Sequence, residues 1–166
     1  MSSAFDTLGL PELVKATQSV GAQGIDLCVF RRDGTRRDHV ATHLDYDRFT
    51  PDTAMQLIDG FNAAGLQLSV GSFENLIGGD PAERVRNQNH LLKLIRIAYL
   101  LGGDANDVKV GTFVGYNHEL GAEDGGFQRN LDEYKRVFAP IVSYAEDLGV
   151  TILYENCPME GWRPAS

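Results

Sequence analysis

Glu155 is the residue whose position points most directly to chemistry. It closes the run VTILYE (150–155), which is apolar, rich in β-branched residues and bounded by Gly149 and Pro158. Such a run predicts a buried parallel strand. A carboxylate at the C-terminal end of that strand stands on the rim where parallel α/β sheets gather ligands and catalysis. Other reactive side chains are sparser. His39 and His43 have the i, i+4 spacing of a helical metal pair, but they lie in a polar stretch rich in Arg and Asp with no third ligand nearby, which favours a loop over a zinc site. His90 falls inside a helical segment, and His118 (YNHEL) follows a strand on the functional rim without a partner. Cys28 and Cys157 form no CxxC pair and read as packing residues of a reduced, cytoplasmic protein.

The elements that position Glu155 alternate along the chain. Ser3–Leu8 is a weak first strand candidate, followed by a helix over Leu10–Val20 with Pro11 in its first turn and Gly21 as its stop. Ile25–Phe30 is a second strand. Thr50-Pro51-Asp52-Thr53 opens a helix with Leu57, Ile58, Phe61 and Ala64 on one face, and Gly65 ends it. Leu66–Phe73 is the third strand. Asp80-Pro81-Ala82-Glu83 is a capping box whose helix should bury Leu91, Leu94, Ile95, Ala98 and Tyr99. Val108–Val114 is the fourth strand. The next helix aligns Leu131, Tyr134, Phe138, Ile141, Ala145 and Leu148, with Pro140 expected to kink it. The later strands start at 25, 66, 108 and 150, spacings of 41, 42 and 42 residues. This recurrence of a strand–loop–helix unit means an α/β fold, either a doubly wound sheet or a barrel. No GxGxxG or Walker loop follows a strand, which argues against a nucleotide-binding Rossmann domain.

Charge narrows the partners. Fifteen basic against twenty-three acidic residues give −8, which speaks against nucleic acid or an anionic membrane. The cluster Arg31-Arg32 and Arg36-Arg37 is diluted by Asp33 and Asp38 and reads as a solvated loop. The N-terminus lacks a signal-peptide pattern and no apolar run reaches membrane-spanning length.

Several segments together carry a resemblance: GLQLSVGSFENL, the helix ending in YLLGG, VKVGTFVGYN, and FAPIVSYAEDLGVTILYENCPMEGW, with AFDTLGLPELVKATQSVGAQGIDL before them. They resemble the xylose-isomerase-like TIM barrels, and more narrowly their sugar phosphate isomerase/epimerase branch. YENCPMEGW is the sharpest element. The resemblance implies an incomplete barrel of about five parallel strands and four helices, one domain over 1–166 truncated after strand five. It implies that Glu155 is a divalent-metal ligand and a base. The remaining aspartate, histidine and glutamate ligands of the family come from strands six to eight, so the metal site for Mn²⁺, Mg²⁺ or Zn²⁺ is incomplete here. A full barrel needs roughly 250 residues. The length therefore leaves three readings: a piece of a longer protein, a half that pairs with a second copy as a homo-oligomer or with a separate half, or an open sheet without metal.

On the same reading, Asn75, just beyond the third strand, meets a substrate hydroxyl or forms its turn. Asn156 and Trp162 line the pocket, an indole face suiting the apolar side of a sugar ring. The implied function is a metal-dependent isomerase or epimerase acting on a sugar, sugar phosphate or polyol, by proton transfer next to a carbonyl. A dehydratase of the same superfamily and a non-catalytic barrel fragment are the alternatives. Abasic-site endonucleases share the barrel, and the charge of −8 counts against them.

Overall fold

The structure, a computed structural model, describes residues 1–34 and 43–155. Four strands, β1 (Gly24–Cys28), β2 (Gln67–Ser72), β3 (Val110–Thr112) and β4 (Ile152–Tyr154), form one parallel sheet in chain order. Between them run α1 (Leu10–Ser19, ahead of β1), α2 (Pro51–Ala63), α3 (Pro81–Leu100), a single turn α4 (His118–Gly121) and α5 (Gly126–Asp147). Local chemistry sets the helix starts. Thr50 Oγ1 accepts from the Thr53 amide at 3.2 Å, and Asp80 Oδ1 accepts from the Glu83 amide at 2.9 Å, each followed by a proline in the first turn. The α5 helix runs through Pro140 without ending there.

The two faces of the sheet differ, and that difference decides the architecture. Ile25, Leu27 and Val29, with Leu68, Val70, Val108, Val110 and Val150, join the helix residues Leu13, Leu57, Phe61, Leu91, Leu94 and Ile141 in one apolar core. The alternate positions form a separate small cluster, Cys28, Phe30 and Phe73, with Phe113 packed on it. Among the described residues helices therefore cover one face only, and the strand order never reverses. A doubly wound sheet would have helices on both faces and a switch in order. This is the wall of a TIM barrel, with four of the eight strands of a closed one.

Three expectations need correction. Ser3–Leu8 is not a strand. Ser2–Phe5 is a 3₁₀ turn whose Ser2 hydroxyl, fully buried, accepts from the Cys28 amide at 2.9 Å on the open edge of β1. A side chain thus satisfies the edge in place of a ladder, and the described strands number four rather than five. Tyr99 is 47% exposed, because the α3 stripe set by Leu94, Ile97 and Ala98 turns it to the far side. Arg31 is not solvated: it is 4% exposed and hydrogen-bonded beneath α3.

His90 proves to be part of that buried interior. Its Nε2 lies 2.6 Å from the Val29 carbonyl and its ring meets Tyr46 edge-on at 4.7 Å. Burial holds the imidazole below its ordinary range; the Val29 bond and Asp47 oppose this, and Lys93 and Arg31 reinforce it. A histidine neutral in the fold gives full stability above the unfolded value of about 6.5 and loses it as protons bind the unfolded chain. Thermal melts should therefore show Tm falling between pH 7 and pH 5, with a shallower slope in His90→Gln; equal slopes would contradict this role.

Candidate functional site

The candidate site is built by strand register. Cys28, Gly71 and Gly111 pair across β1, β2 and β3, and Gly111 pairs with Leu153 of β4. Two residues further along, at the C-terminal rim, the same inward parity brings Phe30, Phe73, Phe113 and Glu155 into one layer. The ladder continues that far: the Val29 amide donates to the Gly71 carbonyl at 2.7 Å and the Glu155 amide to the Thr112 carbonyl at 3.0 Å. Phe73 meets Phe113 edge-on at 4.9 Å and Phe30 at 6.3 Å. The Phe73 ring fits because Gly71 and Gly111 lie under it; a Cβ at either would stand 2.9 Å or 3.2 Å from its carbons. Glu155 is exposed at the end of this aromatic layer.

Beneath it the inward face turns polar. Asp26 accepts from Ser69 Oγ at 3.0 Å, and with Lys109 and Leu153 these residues line a concavity of about 280 Å³. Burial pushes the Asp26 carboxyl above the usual carboxylate range, the Ser69 bond opposes the shift, and the Glu155 charge adds a small push upward. An acid with a raised folded pKa stabilises most below its unfolded value and costs stability as pH rises through the folded one. Asp26→Asn should accordingly raise Tm at pH 7, with the gain shrinking towards pH 4; a constant difference across that range would refute the burial account.

Asn75 sits at the same rim. Its Oδ1 accepts from the Ile77 and Gly78 amides at 3.2 and 2.7 Å, and its Nδ2 donates to the Tyr116 carbonyl at 2.9 Å. It therefore shapes the loop after β2 and ties it to the loop after β3. His118 begins α4, its ring 5.2 Å from that of Tyr116. His43 lines a cavity with Leu10, Phe49 and Leu57. Asn156, Cys157, Trp162 and His39 lie outside the described residues. Outside the barrel wall, a cleft of about 400 Å³ gathers Arg31, Arg32, Arg86 and Lys93 beside Tyr46. Each of these cations already faces an acid, from Asp33, Asp45, Asp47 and Glu83, which leaves the cleft near neutral.

As for a metal, no group of three His, Cys, Asp or Glu side chains among the described residues could hold one. Glu155 alone offers one carboxylate, so the described donor set does not by itself fit a divalent ion.

The sequence profile of the xylose isomerase-like TIM barrels matches residues 14–166. The chain belongs to that family. No curated protein matches the chain. Among solved structures it is similar to D-psicose 3-epimerase determined with D-fructose, at 13% identity and a TM-score of 0.55, covering 89% of this chain and 46% of that one. It is also similar to L-ribulose 3-epimerase, at 18% identity and a TM-score of 0.56, covering 87% and 43%. A third is D-psicose 3-epimerase from Clostridium cellulolyticum H10 determined with D-tagatose, at 16% identity and a TM-score of 0.50, covering 85% and 44%. At these identities the likeness is one of fold. The chain spans less than half the length of these three relatives.

Two features of the rim escaped the sequence reading. The aromatic layer had a signal: Phe30 and Phe73 close their strand segments and Phe113 is next to last in its own, as CVF, GSF and GTF. The burial of Arg31 had none, because its partners Glu83 and Asn87 lie 52 and 56 residues away. Among the described residues no helix is long and apolar enough to cross a membrane.

Proposed function

We propose that this chain contributes to a sugar isomerase or epimerase of the xylose isomerase-like family, with Glu155 as the carboxylate that moves a proton next to a carbonyl. The observation that carries the reading is the position of Glu155, at the rim of β4 and, by strand parity, on the same side of the sheet as Phe30, Phe73 and Phe113. The substrate class is a free or phosphorylated ketose or related polyol. The three similar solved structures named above are sugar epimerases, two of them determined with a ketohexose.

In the proposed step a Glu155 oxygen takes the proton from the carbon beside the carbonyl. The C–H electron pair becomes the new C=C bond as the carbonyl π pair moves onto its oxygen, giving an enediolate. A second acid then delivers a proton to the opposite face of that carbon, the electrons return, the carbonyl re-forms and the epimer results. An aromatic layer near the carboxylate suits this work, since phenyl faces offer the sugar's C–H face a surface. Glu155 would also be one donor to Mn²⁺, Mg²⁺ or Zn²⁺; a carboxylate oxygen suits such hard cations. Asn75, Asn156 and Trp162 are proposed as substrate contacts, Asn75 through the loop it shapes. A cytoplasmic setting accords with the free thiol of buried Cys28.

The test is incubation of the chain with D-fructose and each of the three cations, followed by chromatography. Formation of D-psicose or another isomer is the expected result. No new sugar with any cation would overturn the proposal for this chain.

A further inference from the structure

We infer that Asn87 is a positioning residue that fastens the loops after β1, β2 and β3 into one rigid rim. The bonds form a continuous chain. Arg31, just after β1, donates through Nη1 to Asn87 Oδ1 at 2.5 Å and to Glu83 Oε2 at 2.7 Å. Asn87 Nδ2 donates to the Asn75 carbonyl at 3.0 Å, in the loop after β2. Asn75 Nδ2 then donates to the Tyr116 carbonyl, in the loop after β3. The next residue, Asn117, donates its amide to Asn130 Oδ1 of α5 at 2.8 Å and accepts from Asn130 Nδ2 at 3.1 Å. Both Asn87 and Asn130 are buried.

Asn87 can join two loops because one amide side chain accepts on one side and donates on the other. Aspartate would keep the Arg31 bond and lose the donor; leucine would lose both. The arginine supports the same conclusion. Nη2 of Arg31 is buried without a hydrogen-bond partner among the described residues, and burying a guanidinium is costly where an apolar side chain would pack more cheaply. Such a group earns its place by fixing one arrangement. The consequence for function, which rests on the reading that this rim holds the sugar, is preorganisation: a ligand fixed by one loop finds the other two already in place.

The experiment is a double-mutant cycle by urea unfolding of the whole chain, pairing Arg31→Met with Asn75→Ala, which share no direct bond. With Asn87 present, the double variant should raise the unfolding constant about tenfold less than the product of the single effects. In an Asn87→Ala background the effects should multiply to within about twofold. Multiplication in both backgrounds would overturn the inference. Should the double variant fail to fold, backbone amide resonances of Asn87→Asp take its place. Shifts at Gly78 and Asn117, which Asn87 does not touch, support the relay, and shifts confined to Arg31, Asn75 and α3 overturn it. Neither readout uses a sugar, so failure of the epimerase reading shows in turnover alone and failure of the relay in the coupling alone.

Discussion

Glu155→Gln is expected to lower the proposed epimerisation at least about a hundredfold, in the range that removal of a general acid–base group produces. A hundredfold is about 2.7 kcal/mol of transition-state free energy. Glutamine has the size of glutamate and cannot take a proton from carbon at neutral pH. The structure says the change should leave the fold alone. The Glu155 side chain is exposed, and what ties this residue to the sheet is its backbone amide on the Thr112 carbonyl. Exposed substitutions of this kind usually alter stability by less than about 0.5 kcal/mol. Rates of ketose conversion and thermal melts, measured on both proteins, check the two halves together. An unchanged rate would remove Glu155 from the chemistry, and a large fall in Tm would make its role structural.

Gly78→Ala is expected to be the most damaging single-methyl addition. Gly78 lies where the loop after β2 crosses the loop after β3. A Cβ there would overlap the Tyr116 carbonyl and stand 2.8 Å from Asn75 Nδ2. The obstacle is mainly backbone, so no rotamer change relieves it, and the Gly78 amide is meanwhile held by Asn75 Oδ1. Overpacking of this kind costs about 2–3 kcal/mol, a fall in Tm of roughly 4–12 °C for a domain of this size. Gly60 provides the contrast. It sits inside α2 with nothing within 4 Å of a built Cβ, so Gly60→Ala should stabilise by about 0.5–1 kcal/mol through helix propensity and a less flexible unfolded chain. Calorimetry on the pair checks both signs; similar effects at the two positions would contradict the geometry.

What could be read from the sequence followed how local each cause was. The starts of α2 and α3 were legible because Thr50 and Asp80 cap within three residues of themselves. The strand spacing was legible because each strand–helix unit repeats at nearly constant length. The capping box was half right: Asp80 caps, but the Glu83 carboxylate goes to Arg31 and Arg86. That choice depends on a residue fifty-two positions away, which no local pattern encodes. The first strand was misread because a short polar segment satisfied an edge through the Ser2 hydroxyl rather than through pleated pairing. Choosing a barrel over an open sheet needed the faces, because the burial of Leu27 and the separate cluster around Phe73 show helices on one side only. For the site, Glu155 and Asn75 stood out through their places beyond apolar strands. The relay through Asn87 did not, since an asparagine inside a helix gives no hint of what it bonds.

The most direct test of the central claim is isotope exchange. The chain would be incubated with D-fructose and Mn²⁺ in D₂O, and the recovered sugar examined by NMR. If Glu155 moves a proton beside the carbonyl, deuterium enters at the carbon next to that carbonyl, and Glu155→Gln suppresses the exchange. A recovered sugar without deuterium, or equal exchange in the variant, would contradict the account.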